Sequence, residues 1–321
     1  MRIERAVLGA IVGSVLATVA ARSAGALTPL DVAYAGSMGA AMDGGVKAAA
    51  ARALGVEVRG RGQGAMALAR LIAAGSLRPD VFISVTSGPM RLVQAARVAG
   101  RAVAIARTRM VIAYSPRSRF AALLERADRP GAEPWWRILR SPGFRFGRTD
   151  PRHDPLGLNT LFLMDLAARD YHQHDLKSRI LGSDLDFAQI FPEAGVMARL
   201  QGGELDAATA YRTQPLALGL PFVPLPAAID LGEASLRARY AAVSETIAGR
   251  TSRPSPLVFY AAPLAGAAHP RAARAFVRWL AGPEGQRILR AYHYDAPQGA
   301  PALVAGGGPG RRGPRAGLRG S

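Results

Sequence analysis

Apolar and polar positions along this chain follow two periods in turn. Compact apolar blocks at Leu30–Ala35, Val56–Arg59, Val81–Val85, Met110–Tyr114, Phe144–Gly147, Leu205–Tyr211 and Leu257–Ala261 predict strands. Between them lie stretches with apolar residues at helical spacing. These predict helices over Met38–Leu54, Ala65–Ala74, Pro89–Val98, Ser118–Arg126, Pro134–Arg140, Leu156–Tyr171, Pro192–Leu200, His269–Leu280 and Glu284–Tyr292. In the longest internal helix, Leu158, Leu161, Phe162 and Leu166 fall on one stripe. Strands alternating with crossover helices imply an α/β fold with parallel strands.

The two ends depart from this pattern. Arg2 and Arg5 precede an uncharged apolar run, Ala6–Ala20, and Ala24-Gly25-Ala26 has the small-x-small form of a cleavage site. Residues 1–26 therefore read as a secretory signal peptide. The run is nearer about 15 than about 20 residues, too short for comfortable membrane spanning. Beyond Pro301 the chain turns to Gly, Pro, Arg and Ala without periodicity, and 303–321 is expected to be a disordered basic tail.

With 321 residues and 49% hydrophobic content there is material for two modest lobes. The absence of cysteine excludes disulfides, thiolate metal sites and a cysteine nucleophile. The net charge is +18; the leader carries +2 of it and the tail +4, leaving +12 between them. Such a field steers anions inward. The arginines are scattered rather than striped, and an exported protein rarely meets nucleic acid, so no nucleic-acid partner is expected. None of His153, His172, His174, His269 and His293 stands in a metal-binding or nucleophile-activating pattern.

Loops that end strands and open helices are the natural ligand sites of such folds. Gly36-Ser37 ends the first strand and offers a hydroxyl and amides to an anion, or a plain helix cap. Gly62-Gln63-Gly64-Ala65 opens the second helix, where glycine permits close backbone approach. Asp154-Pro155 is by itself an ordinary helix start, and Glu193 after Pro192 an ordinary first-turn acid.

Taken in order, several segments resemble one family. They are Ala35-Gly36-Ser37-Met38, Pro79-Asp80-Val81, Met110-Val111-Ile112-Ala113-Tyr114, Trp135-Trp136-Arg137-Ile138-Leu139, Asp150 to Gly157, Gly203-Glu204-Leu205-Asp206 with Tyr211, and Leu225 to Leu231. Together they resemble the periplasmic tungstate/molybdate-binding proteins first described in archaea, substrate-binding components of ABC transporters. The resemblance covers about Leu30 to Pro301. It implies a two-lobed periplasmic binding protein fold of type II, with central mixed sheets, flanking helices and two crossing strands. Lobe one would take 27–112 and 250–302, and lobe two 113–249.

Carried over residue by residue, the resemblance places two metal-coordinating carboxylates on Asp154 and Glu193 and an oxyanion-binding tyrosine on Tyr211. The first-loop serine becomes Ser37. The second-loop serine falls on Ala65 and a ligand-loop cysteine on Leu156, positions usable only through the backbone. Before Glu193 the family carries a longer insertion. The chemistry explains why carboxylates face a dianion: at about 4 Å and an effective dielectric of about 20, each like-charge pair costs about 4 kcal/mol. Carboxylates bonded to the metal itself convert that cost into coordination, raising the tetrahedral oxyanion to six-coordinate, and oxygen donors suit a hard, high-valent metal. Sulfate and phosphate cannot expand in this way. The resemblance thus implies a monomeric, non-enzymatic carrier of tungstate or molybdate, with no cofactor, handing its ligand to an inner-membrane permease. The rival readings are a binder of another oxyanion, an exported hydrolase using His153, Asp154 and Glu193, and a sensor acting on another membrane partner. The exported chain is expected to begin at Leu27, which intact-mass spectrometry of periplasmic protein checks.

Overall fold

The computed structural model describes residues 26–297 and 299–305. The expected leader, apart from Ala26, and the chain from 306 onward lie outside them. In chain order the strands are β1 (Thr28–Ala35), β2 (Val56–Gln63), β3 (Val81–Val85), β4 (Val103–Arg107), β5 (Met110–Tyr114), β6 (Phe146–Gly147), β7 (Ala207–Tyr211), β8 (Phe222–Pro224), β9 (Glu245–Ile247), β10 (Arg250–Ser252) and β11 (Val258–Pro263).

They form two mixed sheets, β2-β1-β3-β11-β4 and β6-β7-β5-β8, and a separate β9–β10 hairpin. β1, β2 and β3 pair in parallel, as the intervening crossover helices require, and the returning β11 lies antiparallel to β3 and β4. Every residue of β3, β5 and β7 is buried, as expected of strands covered on both faces. Two mixed α/β sheets with flanking helices are the architecture that the sequence resemblance implies.

The chain passes between the sheets twice. Thr108 and Arg109 join β4 to β5, and the segment before β11 returns beside them. Thr108 N donates to Leu257 O (3.0 Å), Leu257 N to Leu231 O (2.9 Å) and Met110 N to Asp230 O (2.8 Å). The expected dividing point after residue 112 falls inside β5, all of which belongs to the second sheet. Arginine–carboxylate contacts bracket the crossing: Arg212 to Asp295 (2.8 Å), Arg109 to Asp295 (3.3 Å) and Arg109 to Asp230 (3.7 Å).

Three local features differ from the sequence expectations for physical reasons. The helix expected over 38–54 is broken into a 3-10 turn at Gly36–Met38, a short α segment, a π turn at Met42–Val46 and an α-helix at Lys47–Leu54. The Tyr292 ring presses into the π turn, where a Cβ on Gly44 would meet its Oη at 2.1 Å. β2 runs on to Gln63 because Gly60 and Gly62 let the Tyr34 ring lie against the strand; a Cβ on either would come within 2.7 Å of it. Lastly, the chain does not loosen at 303. Leu303 is buried and exchanges both backbone hydrogen bonds with Ala102, and Gln94 donates to its carbonyl (3.0 Å). An apolar side chain with a vacant strand-edge partner extends the fold past the point where periodicity ends.

The helix Pro155–Asp170 is capped by Asp154 and is buried along most of its length. Gly157 allows its first turn to sit against residues 149–151, since a Cβ there would fall 2.3 Å from Thr149 O and 2.8 Å from Pro151 N. Gly157→Ala is therefore expected to destabilise the fold by about 2 kcal/mol, through forced displacement of a packed turn. Urea denaturation measures it.

Candidate functional site

Between the sheets lies a cleft of about 890 Å³, lined by Gly36, Ser37 and Gly64 from the first-sheet side and by Thr149, Asp154, Glu193 and Gln214 from the second. A smaller cavity of about 430 Å³ adjoins it, and the two share His153 and Asp154. The sides meet closely at two glycines. A Cβ on Gly36 would lie 2.4 Å from Glu193 Oε2, and one on Gly64 would lie 3.0 Å from His153 O and 3.7 Å from Asp154 Cβ.

Asp154 caps the helix that Pro155 opens, and its Oδ1 accepts from Leu156 N at 2.9 Å. The ordinary helix-start chemistry is thus realised, yet it uses one carboxylate oxygen, and the residue still lines the cleft. The Leu156 amide is engaged by this cap, and the Leu156 side chain is in the hydrophobic core. Glu193 opens the helix Glu193–Gly202 after Pro192. Its Oε1 accepts from Gln214 Nε2 at 2.8 Å.

Tyr211 ends β7 with its side chain buried. Asn159 Nδ2 donates to its Oη at 3.1 Å, which leaves the phenolic proton free to point at an acceptor. The Tyr211 amide donates to Gln214 Oε1 at 2.8 Å, so Gln214 ties the tyrosine strand to Glu193. Ser37 is buried, and its Oγ makes no hydrogen bond, so it is not spent on a cap. Tyr294 Oη fixes that loop by donating to Ser37 O at 2.8 Å. Ala65 is the first residue of the helix behind Gly64 and is buried.

Asp154 and Glu193 each keep a face toward the cleft, but dense protein surrounds them and sets their electrostatics. Burial pushes the Asp154 carboxyl up to about 6. The Leu156 amide opposes this, as does the nearby Thr149 hydroxyl, which stands close without reaching hydrogen-bond geometry. Burial also raises Glu193 well above the usual carboxylate range, and the neighbouring Asp154 charge adds to it. Burial and the same two carboxylates raise Tyr211, which keeps it a neutral donor. The arrangement sets two acid groups close enough to feel each other's charge, in a cleft that the hydroxyl-bearing Ser37, Thr149 and Thr213 also line. His153 lines the same cleft, with its side chain 54% exposed and its Nδ1 3.4 Å from Asp150.

The structure therefore brings Ser37, Asp154 and Glu193 to one cleft; Ala65, Leu156 and Tyr211 are buried and do not line it, although Tyr211 stands near enough to feel the charges of Asp154 and Glu193. Sequence reading missed Gln214, Asn159 and Thr149. Asn159 was the most visible of them, as a lone amide among apolar residues of a long helix.

The sequence profile described as bacterial extracellular solute-binding protein matches residues 30–295, and the chain belongs to that family. A Haloferax volcanii protein provisionally named as an ABC transporter molybdenum-binding protein is 35% identical over 153 residues, 47% of each chain. The match thus spans about half of that relative's length. A Thermococcus kodakarensis protein named molybdate/tungstate-binding protein is 26% identical over 216 residues, 60% of this chain and 59% of that one. Among solved structures, the periplasmic molybdate-binding protein of Azotobacter vinelandii superposes with a TM-score of 0.57 at 17% identity, covering 84% of this chain and 100% of that one. At that identity the likeness shows the fold.

An acid whose pKa is higher in the fold than in the unfolded chain favours folding most below its unfolded value and loses that contribution as pH rises through the folded value. For Asp154 the window runs from 3.8 to about 6. Asparagine at 154 is neutral throughout and caps equally well. Without oxyanion, Asp154→Asn is expected to be more stable than the parent above about pH 6, on the order of 2 kcal/mol. The advantage should vanish below about pH 4. Urea titrations of both proteins across that range measure it.

Proposed function

We propose that this protein is exported to the periplasm, captures tungstate or molybdate in the cleft as a monomer, and delivers it to the permease of an ABC transporter. One observation carries the reading: two half-buried carboxylates, Asp154 and Glu193, line a cleft beside the donors Ser37, Thr149, Thr213 and Gln214, with Asp43 and Asp150 also on its wall. A pure anion binder gains nothing from either carboxylate. Both gain a role if their oxygens bond an electropositive metal centre while donors hold the oxo groups. In this reading Ser37 Oγ, the Tyr211 hydroxyl and the amide of Ala65 hold ligand oxygens. The Leu156 amide remains on Asp154 and orients it. The names of the Haloferax and Thermococcus relatives support this ligand class. Binding and delivery need no covalent step and no cofactor.

The carboxylates decide between this reading and binding of sulfate or phosphate. If they bond the metal, removing one negative charge weakens capture of an anion. If they only start helices, the same change relieves repulsion. Calorimetric titration with tungstate, molybdate, sulfate and phosphate is expected to show tungstate or molybdate binding by the parent. Asp154→Asn should weaken it about a hundredfold or more, close to 3 kcal/mol. Glu193→Gln should move in the same direction. Equal or tighter tungstate binding by Asp154→Asn would mark the site as an ordinary oxyanion cradle.

A further inference from the structure

Buried side-chain hydroxyls in this fold generally have partners. Thr160 Oγ1 is paired with Leu156 O (2.8 Å) and Thr209 Oγ1 (2.7 Å), Ser118 Oγ donates to Asp206 (2.8 Å), and Ser84 Oγ donates to Thr86 O (3.2 Å). Among the described residues four buried hydroxyls lack one: Ser37, Thr108, Thr149 and Thr213. Thr108 lies on the crossing between the sheets, but the other three line the 890 Å³ cleft. Thr213 has the Tyr294 hydroxyl beside it. A buried hydroxyl without a partner in the protein gives up hydration with no return from the chain itself, so each such group calls for a reason.

Thr149 is the informative one. It is 1% exposed and sits on the turn that Gly157 clamps against the helix start, so its position is set by backbone packing rather than by its own side chain. It stands beside Asp154, and a Cβ on Gly64, the residue before Ala65, would come to 3.7 Å from Asp154 Cβ. Thr149 thus lines the cleft together with Asp154 and with Gly64, whose neighbour in the chain is Ala65.

We propose that Thr149 is a ligand-binding residue whose hydroxyl donates to an oxygen of the bound oxyanion, supplying from the second-sheet side the donor that position 65 lacks. This rests on the reading of the cleft as a tungstate or molybdate site. A metal centre bonded by two carboxylates still presents its oxo groups, and each needs a donor. Ser37, Tyr211 and the amide of Ala65 serve some of them, and Thr149 serves the oxygen nearest Asp154. A threonine there has its methyl group to fill the packed turn and its hydroxyl to face the ligand.

The test is a calorimetric titration with tungstate of the parent, Thr149→Val, Thr149→Ser and the double variant Thr149→Val/Ala65→Ser, with thermal melting of each without oxyanion. Thr149→Val keeps the shape and removes the hydroxyl. It is expected to weaken binding about tenfold, near 1.4 kcal/mol, with the ligand-free melting temperature unchanged or higher, because an unpartnered buried hydroxyl has gone. Thr149→Ser should bind within about threefold of the parent, and adding Ala65→Ser to Thr149→Val should recover part of the loss. Thr149→Val binding as tightly as the parent would overturn the proposal. So would equal weakening by serine and valine, or no recovery on adding Ala65→Ser, since each assigns Thr149 to propping the turn instead. If the parent itself binds neither tungstate nor molybdate, the reading of the cleft fails first and this assignment falls with it.

Discussion

Two carboxylates that repel one another, Asp154 and Glu193, are the constraint around which the cleft is organised. Each begins a helix, each is held through one oxygen by a donor of the chain itself, and each is buried deeply enough to resist ionising. Arg152, two residues before Asp154, is bound in fork geometry to Asp150. A pair like this destabilises the empty protein at neutral pH, and the fold tolerates the cost with its large, fully buried strands. In the function proposed above, a high-valent metal centre would turn that repulsion into attraction, which a sulfur or phosphorus centre would not.

The rest of the structure serves that pair. Gln214 spans from the β7 backbone to Glu193, and Asn159 turns the Tyr211 hydroxyl into a free donor. Gly36 and Gly64 remove side chains where the two sides approach, so Glu193 and Asp154 can stand against backbone rather than bulk. At the crossing between the sheets, Arg109 and Arg212 share Asp295. These partly exposed contacts are of the kind that contribute modestly to stability and chiefly set relative orientation.

Much of this was legible in the sequence, and the omissions have physical reasons. Strands buried on both faces, such as Val81–Val85 and Met110–Tyr114, announce themselves as unbroken apolar runs, and Pro155 after Asp154 marks its helix start unambiguously. β8 is three residues ending in proline and exists by pairing with β5, while β9 and β10 are three residues each, only partly buried, and turn through Ala248-Gly249 at positive φ. The glycines of β2 read as a loop because the Tyr34 ring that requires them lies on another strand. At the site, local sequence cast Asp154 and Glu193 as helix-start residues, and only the resemblance raised them above that. The residues that escaped notice, Thr149, Asn159 and Gln214, matter through hydrogen-bond direction or its absence. The Asn159–Tyr211 bond joins positions 52 apart, a distance over which no sequence pattern carries information.

The most direct measurement is X-ray absorption at the tungsten L3 edge on the purified protein loaded with tungstate. Six-coordinate tungsten is expected, with an edge splitting of octahedral type and two oxygen neighbours at longer distance than the oxo groups, both features collapsing toward the free-anion spectrum in Asp154→Asn. A spectrum of the loaded parent matching tetrahedral tungstate in solution, with four equal short bonds, would contradict metal bonding by Asp154 and Glu193.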